Sequence, residues 1–370
     1  MSLTPLKIKS VKDADVSGKR VLMRVDFNVP IKDGAVQDDL RIRTTLPTLE
    51  LLHKNGAAKI ILIAHLGRPD GKVVESLKLA PVEKRVRELT QVPFEMHENL
   101  RFDPREESND EAFAKELASL GGVFINEAFA DSHRAHASIV GIPKFLPGFM
   151  GLRFEEEVRR LSLALTPPKG ALAMIGGVKF ETKVPVIKKL LGLYAEVLLG
   201  GALANDVIKA RGLPFGVSLV SDTPVPEDIA SNERLLIPED AIFAESGSNA
   251  ERSGFVVDIR ANESVIDIGP ATSKRWAEKI SKAPFVLWNG PMGIYEQGYR
   301  DGTDVLAAEL VRSGVPAVVG GGDTAAAVSK FSFNPEKVFI STGGGAMLQF
   351  LANGTLPAIE ALKTSKSDLR

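Results

Sequence analysis

The sequence predicts an α/β fold in which two domains each carry a mainly parallel sheet. Short apolar runs rich in β-branched residues alternate with helical patterns along the chain. Several of these runs end abruptly in glycine or polar residues, as buried parallel strands do when they lead through a loop into a helix. The length of 370 residues is also sufficient for two hydrophobic cores.

Residues 151–168 divide the chain and are predicted to form a linker helix. Three glutamates at 155–157 suit the positive start of a helix, and Val158 and Leu161 share one face. All five histidines precede this stretch, whereas both tryptophans and most of the 33 glycines follow it. We therefore interpret residues 1–150 as a domain that binds an anionic substrate and residues 169–345 as a nucleotide-binding domain.

Composition narrows the class of protein. The formal net charge of −1 gives no general attraction to nucleic acid or to an acidic membrane. The absence of cysteine excludes disulfides and thiolate chemistry. The first residues lack the apolar core of a signal peptide, and no run approaches the ~18 apolar residues that span a bilayer. We expect a cytoplasmic protein that binds neither nucleic acid nor membrane.

Strands and helices are predicted to alternate in both halves. In the first half we expect strands at 20–25, 59–64 and 123–126, a weaker strand at 92–96, and helices at 47–54, 81–90 and 110–120. Asn109 or Asp110 would cap the last of these helices. In the second half we expect strands at 171–175, 196–199, 255–259, 285–288, 317–319 and 337–340, with helices at 182–191, 272–282 and 303–312.

Basic and polar side chains follow the predicted strands of the first half, where a parallel sheet places its ligand site. An arginine fork matches carboxylate and phosphate oxygens in pairs, so the set favours a small phosphorylated acid. Any one of these arginines alone is better explained as a solvated surface residue, and it is the set that favours a binding site. The set consists of Arg41, Arg68, Arg101 and Arg134, with His65, Asp26 and Asn28.

Glycine turns follow the predicted strands of the second half, at 176–177, 200–201, 320–322 and 343–345. Successive backbone N–H groups in such turns can surround phosphate oxygens. Asp323 would either cap the helix that begins there or hold Mg²⁺ between phosphates. Lys179 and Lys183 would share one helix face if that helix starts early; solvated positions are the alternative. The usual P-loop and the dinucleotide fingerprint are both absent.

Seven motifs, in this order along nearly the whole chain, resemble those of the phosphoglycerate kinase family. They are Arg24-Val25-Asp26-Phe27-Asn28-Val29-Pro30, His65-Leu66-Gly67-Arg68-Pro69, Glu98-Asn99-Leu100-Arg101-Phe102, His133-Arg134-Ala135-His136-Ala137-Ser138, Trp288-Asn289-Gly290-Pro291-Met292-Gly293, 320–325 and 341–345. The resemblance implies two Rossmann-like three-layer domains with parallel sheets, joined by a hinge helix at which they close. It also implies that the segment 346–370 returns to the N-terminal domain.

The resemblance further implies Mg²⁺-dependent phosphoryl transfer between 1,3-bisphosphoglycerate and ADP, giving 3-phosphoglycerate and ATP, by a monomer. The residues implied at phosphoglycerate are Asp26, Phe27, Asn28, Arg41, His65, Leu66, Gly67, Arg68, Arg101 and Arg134. Those implied at ATP or ADP are Lys183, Asn289, Glu296 (at the ribose), Gly321, Gly322, Asp323 (at Mg²⁺) and Thr324. Those implied at the transferred phosphoryl group are Arg41, Lys179, Gly343 and Gly344.

Several positions depart from the family pattern. The family usually has Asp at Glu127 and Gly at Ala130, and a third glycine where Ala202 stands. If residue 202 required a left-handed backbone, alanine would cost ~1–2 kcal/mol there, and the base preference is open. Two other functions fit less well. A regulatory relative without turnover would not need Arg41, Lys179 and Asp323, and a nicotinamide-dependent oxidoreductase would need the missing fingerprint.

Overall fold

The computed structural model describes residues 8–247 and 250–366. They form two compact units. The first contains the described residues up to Arg159 and those from Thr355 onward, and the second runs from Arg160 to Gly354. Within the described residues, no helix is long and apolar enough to cross a bilayer.

The first unit is built on a five-stranded parallel sheet with the order β5-β4-β1-β6-β7. Its strands and an accompanying hairpin (β2 and β3) are β1 (Arg20–Arg24), β2 (Ile31–Lys32), β3 (Ala35–Val36), β4 (Lys59–Ile63), β5 (Glu95–Met96), β6 (Val123–Asn126) and β7 (Gly148–Met150). The helices that begin before Arg159 are α1 (Leu40–Lys54), α2 (Ala80–Leu89), α3 (Pro104–Glu107), α4 (Glu111–Ala118) and α5 (Leu152–Ala164), and α5 runs on into the second unit. Every residue of β6 is buried, as expected for a strand covered on both faces.

The second unit contains a six-stranded parallel sheet and a three-stranded antiparallel sheet. The six-stranded order is β10-β9-β8-β14-β15-β16, and the three-stranded order is β12-β11-β13. The strands are β8 (Leu172–Ile175), β9 (Glu196–Leu199), β10 (Leu235–Leu236), β11 (Asp240–Glu245), β12 (Glu251–Phe255), β13 (Glu263–Ile268), β14 (Val286–Asn289), β15 (Ala317–Gly320) and β16 (Val338–Ser341). The helices are α6 (Phe180–Leu193), α7 (Gly201–Ala210), α8 (Glu227–Ala230), α9 (Pro270–Lys282), α10 (Asp301–Ser313), α11 (Gly322–Val328) and α12 (Gly344–Asn353).

The last helix, α13 (Pro357–Lys363), belongs to the first unit. Its Ala358 N–H donates to the Ser132 carbonyl at 3.1 Å, and Ile359 and Leu362 are buried. A side chain at Gly148 in β7 would come within 2.8 Å of Leu362. The first unit is therefore completed by the C-terminal segment of the chain.

The predicted α/β fold with parallel sheets is confirmed, but some predicted elements are wrong. The predicted strand at 255–259 is instead the end of β12 followed by a 3₁₀ turn at Val256–Asp258. Val256 and Ile259 turn inward there, while Phe255 and Val257 stay exposed, so an apolar run did not mean a buried strand. Helix α1 begins seven residues before the predicted start and contains Pro47 in its interior. Asp110 caps α4, where its carboxylate accepts the Phe113 N–H at 2.8 Å.

Candidate functional site

The first unit gathers its predicted ligand residues at one edge of its sheet. Strands β1, β4 and β6 are adjacent and parallel, so the loops after them leave from the same edge. Asp26 and Asn28 follow β1, His65 follows β4, and Arg134 follows β6. The Asn28 amide oxygen accepts the Gly67 N–H at 3.0 Å, which connects two of these loops.

Arg41, the second residue of α1, reaches this edge and pairs with Asp26. Its Nη1 lies 2.8 Å and 2.7 Å from the two carboxylate oxygens. Burial alone disfavours the charged guanidinium, but Asp26 outweighs it and holds the pKa of Arg41 above its ordinary value. Arg41 is therefore a fixed cation that still exposes part of its side chain.

A buried ionic network lies beneath these residues, and sequence reasoning missed two of its members. Arg24 Nη2 lies 3.1 Å from Asp131 Oδ2 and 3.1 Å from His65 Nδ1, and His65 Nδ1 lies 3.2 Å from the same carboxylate oxygen. Burial would raise the pKa of Asp131, but His65 and Arg24 outweigh it and hold that pKa well below its usual range. The position of Arg24 at the end of β1, just before Asp26, was the available signal.

Arg101 and Arg134 have buried donors that the protein does not satisfy. Arg101 is 3% exposed, and its Nη1 donates to the Gly67 carbonyl at 2.9 Å. Its Nε lies 3.2 Å from Glu107 without hydrogen-bond geometry, and its Nη2 has no partner. Arg134 Nε is also without a hydrogen bond, 3.9 Å from Asp131. Unsatisfied cationic donors are typical of a place that receives an anion.

Three other residues predicted to bind phosphoglycerate differ in how far their side chains are exposed to solvent. Arg68 lies exposed on the loop after β4. Phe27 and Leu66 have side chains packed into the hydrophobic core of the first unit. Any contact of these two residues with a ligand therefore runs through their backbone.

The second unit contains a cavity of about 470 Å³, a size suited to a small organic ligand. Apolar side chains line part of it, among them Pro238, Val265, Ile266 and Met292. The predicted residues that line it are Lys179, Lys183, Asn289, Glu296, Gly321, Asp323 and Thr324. Gly322, Gly343 and Gly344 are not part of its lining, although a side chain at Gly344 would come within 3.3 Å of Gly321.

Hydrogen bonds fix the polar wall of the cavity. Lys183 Nζ donates to the Gly176 carbonyl at 3.0 Å and to Asn289 Oδ1 at 3.1 Å. The Asn289 amide donates to the Gly320 carbonyl at 2.9 Å, and the Thr324 hydroxyl oxygen accepts the Gly290 N–H at 2.6 Å. Burial lowers the pKa of Lys183 to about 8, although Asp323 partly offsets this.

Two glycines bring the turns of this unit together. A Cβ on Gly176 would lie 1.9 Å from the Pro291 carbonyl oxygen, and one on Gly290 would lie 2.2 Å from the Gly176 carbonyl oxygen. Only residues without side chains permit this approach. Ala202 lies in the first turn of α7, and it is Gly201, with φ +59°, that takes the left-handed backbone. Ala202 therefore carries no backbone strain and only narrows the cavity.

Two predictions about local geometry are wrong. Asp323 does not cap α11, because Gly321 is the N-cap residue and no side chain bonds the helix end there. Lys179 does not share a helix face with Lys183. It stands just before α6 in a left-handed conformation with φ +65° and ψ +75°, which is uncommon for a residue with a side chain.

Comparisons with known proteins agree over nearly the whole chain. The family described as phosphoglycerate kinase matches residues 11–97 and 95–354. A phosphoglycerate kinase of Roseiflexus sp. (strain RS-1) is 43% identical over 390 residues, covering 96% of this chain and 98% of that protein. That of Chloroflexus aurantiacus (strain ATCC 29366 / DSM 635 / J-10-fl) is 40% identical over 398 residues, covering 97% and 99%. The solved structure of phosphoglycerate kinase from Coxiella burnetii aligns with a TM-score of 0.82 at 33% identity, over 96% of this chain and 98% of that one.

Proposed function

The chain belongs to the phosphoglycerate kinase family, and from this premise we propose how its residues divide the work of the reaction. The enzyme is a phosphotransferase that moves a phosphoryl group reversibly between 1,3-bisphosphoglycerate and ADP, giving 3-phosphoglycerate and ATP. One observation carries the division of labour. Arginines with unsatisfied donors collect at the sheet edge of the first unit, whereas the glycine-lined cavity belongs to the second.

The first unit is proposed to bind phosphoglycerate. Arg101 and Arg134 would direct their unsatisfied donors at its phosphate or carboxylate oxygens, and Arg68 would close over them from the exposed loop. Asp26 and Asn28 would orient these groups and accept a substrate hydroxyl. His65 would support the site through the network with Asp131, whose buried carboxylate holds the imidazole ring in place.

The second unit is proposed to bind ATP or ADP. Lys183, Asn289 and Thr324 lie around the turns that would surround the phosphates, and Glu296 stands exposed at the wall where it would accept ribose hydroxyls. Helices α11 and α12 begin at Gly322 and Gly344, so their N-terminal N–H groups add positive potential there. The apolar wall would hold the base.

Mg²⁺ is proposed to accompany the nucleotide at Asp323. The carboxylate of Asp323 is exposed, lines the cavity and bonds no helix end, so it is available as an oxygen ligand. The described residues contain no cluster of three or more side chains suited to a metal ion. This fits an ion held by one carboxylate together with substrate phosphates, which is the usual arrangement for Mg²⁺. When bound, Mg²⁺ neutralises charge on the phosphates.

Arg41, Lys179 and the backbone N–H groups of Gly343 and Gly344 are proposed to stabilise the phosphoryl group during transfer. The reaction requires little covalent work from the protein and depends on positioning and charge stabilisation. The left-handed backbone of Lys179 supports its role, because strained residues that persist in a fold are often found at functional sites. We further propose that the enzyme acts as a monomer in the cytoplasm, which light scattering and cell fractionation would test.

The test is ADP formation from ATP, Mg²⁺ and 3-phosphoglycerate, with product removed by a coupling enzyme. Arg41→Ala and Lys179→Ala are expected to lower kcat by about 10²-fold or more. Arg43→Ala on α1 and Lys189→Ala on α6, both exposed, serve as matched controls and are expected to keep wild-type turnover. Full activity of Arg41→Ala or Lys179→Ala would refute these roles, and turnover without 3-phosphoglycerate would refute the substrate assignment.

A further inference from the structure

The N-terminus of α5 is capped by two side chains from elsewhere in the first unit. The Leu152 N–H donates to Thr48 Oγ1 at 3.0 Å, and the Arg153 and Phe154 N–H groups donate to Glu127 Oε1 and Oε2 at 3.1 Å and 3.2 Å. The Thr48 hydroxyl in turn donates to Glu127 Oε1. The first N–H groups of a helix have no acceptor within the helix, so this Thr48–Glu127 clamp satisfies three of them.

The clamp connects α5 to the elements that carry the anion site. Thr48 lies on α1, seven residues and about two turns after Arg41, so both side chains project from the same side of that helix. Glu127 follows β6, four residues before Asp131, and its N–H donates to the Arg24 carbonyl at 2.8 Å. Helix α5 then continues into the second unit after Arg159.

The Glu127 carboxylate packs closely against the start of α5. The residue is 3% exposed. A Cβ on Gly151 would lie 1.9 Å from Glu127 Oε2, so the carboxylate can reach the helix only because residue 151 is glycine. The Gly151 N–H also donates to the Asn126 carbonyl at 2.9 Å, which fixes the backbone where α5 begins.

Keeping the buried Glu127 carboxylate ionised costs free energy. Burial raises the pKa of Glu127 to about 7, although the Thr48 hydroxyl, the two backbone N–H groups and the charge of Arg153 partly offset it. Arg153 also pairs with Glu157 at 2.7 Å, and the next carboxylate on the loop, Asp131, is paired with Arg24 and His65. A neutral side chain would avoid the cost of a buried charge. Conflicts of this kind are expected where a residue serves function.

We propose that Thr48 and Glu127 are positioning residues for phosphoryl transfer, and that protonation of Glu127 loosens the first turn of α5 and slows turnover. The inference rests on the proposed function, because turnover is one of its readouts. The chemistry of the carboxyl group supports it. Both oxygens of the ionised form accept hydrogen bonds, whereas the protonated form turns one oxygen into a donor and accepts more weakly there, which weakens the N–H bond to that oxygen.

The experiment measures kcat and KM from about pH 5.5 to about pH 8.5 for the wild type, Glu127→Gln, Thr48→Val and Thr48→Ser. The wild type is expected to lose about tenfold in kcat between about pH 8 and about pH 6, following the ionised fraction of Glu127. Glu127→Gln is expected to lower kcat at high pH and to remove most of this fall in kcat towards low pH, which we call the acid limb. The KM for 3-phosphoglycerate is expected to change by less than about twofold.

The two Thr48 variants are a matched pair. Thr48→Val removes the hydroxyl that stabilises the carboxylate, so the acid limb is expected to move to higher pH, whereas Thr48→Ser keeps the hydroxyl and leaves it in place. Ionisation of the substrates is common to all variants and cancels in ratios to the wild type. Amide hydrogen exchange at Arg153 and Phe154 is expected to quicken as the pH falls in the wild type beyond the intrinsic trend.

An unchanged acid limb in Glu127→Gln, or the same limb in Thr48→Val and Thr48→Ser, would overturn the proposal. If circular dichroism shows that Glu127→Gln does not fold, the Thr48 pair decides. If the wild type shows no turnover, the proposed function fails, and exchange at Arg153 and Phe154 still tests the clamp. Exchange that is independent of Glu127 protonation would then refute it.

Discussion

Substitution of Lys179 by glycine is expected to leave the protein at least as stable as the wild type while it lowers activity. Lys179 stands before α6 with φ +65°, its side chain is exposed, and that side chain makes no cap hydrogen bond. A left-handed backbone costs a residue with a Cβ about 1–2 kcal/mol, and glycine avoids this cost. Glycine in turn adds about 0.4–1 kcal/mol of conformational entropy to the unfolded chain. Lys179→Gly is therefore expected to change the free energy of unfolding by between 0 and about +1.5 kcal/mol.

Activity should move in the opposite direction. Lys179→Gly and Lys179→Ala both remove the ammonium group proposed to stabilise the phosphoryl group, so both are expected to lose about 10²-fold or more in kcat. Lys179→Ala keeps the Cβ and hence the strain, so its free energy of unfolding is expected to stay within about 0.5 kcal/mol of the wild type. Urea unfolding followed by tryptophan fluorescence measures the relevant unit, because Trp276 and Trp288 are both buried in the second unit.

The reasoning would be refuted if Lys179→Gly were clearly less stable than Lys179→Ala, since the native backbone would then not be strained. It would also be refuted if Lys179→Gly kept wild-type turnover, since the exposed ammonium group would then have no part in the reaction.

Three further predictions follow from buried or crowded groups. Gly151→Ala is expected to lower the free energy of unfolding by about 2 kcal/mol or more because its Cβ would collide with Glu127, whereas Gly192→Ala, with open space on α6, is expected to raise it by up to about 1 kcal/mol in chemical denaturation. The pKa of Glu127 rises from 4.5 to about 7 on folding, so the folded state binds the extra proton, and stability is expected to fall by up to about 3 kcal/mol as pH rises through that interval. Because His136, with a pKa lowered to about 4, and Asp267, with a pKa raised to about 6, titrate in both proteins, the effect is measured as the difference in free energy of urea unfolding between the wild type and Glu127→Gln; a difference that does not change with pH would contradict it. The pKa of Lys183 is lowered to about 8, so the Kd for ATP, measured by calorimetry, is expected to rise above that pH as its charge is lost; a constant Kd up to about pH 9.5 would contradict this.

Most strands of the parallel sheets were predictable from sequence because they are buried on both faces and appear as continuous apolar runs, whereas the short strands β7 and β10 were not predicted. The strand at 123–126 was predicted with its observed bounds. The antiparallel sheet was missed, and its strand β12 shows why an apolar run could not reveal it. In β12 every second residue is exposed, and Phe255 is its single apolar residue.

The site could be predicted where its residues follow a strand directly, as Asp26 and His65 do. Asp131 was missed because its partner Arg24 lies 107 positions earlier, a pairing that only the order of β1 and β6 in the sheet creates. The left-handed backbone of Lys179 leaves no mark in the sequence, since lysine is not a residue that such a conformation favours. The domain limits at 150, 168 and 345 and the individual ligand roles remain predictions.

The return of α13 to the first unit has a consequence for synthesis of the protein. A ribosome makes the chain from its N-terminus, so the first unit lacks Ile359 and Leu362 until the whole second unit has been made. The second unit, from Arg160 to Gly354, is continuous and has all of its strands before α13 emerges. Domains generally fold as units while the chain is made. The second unit is therefore made later but can fold first, whereas the residues of the first unit up to Arg159 must wait for α13, which is made after the second unit.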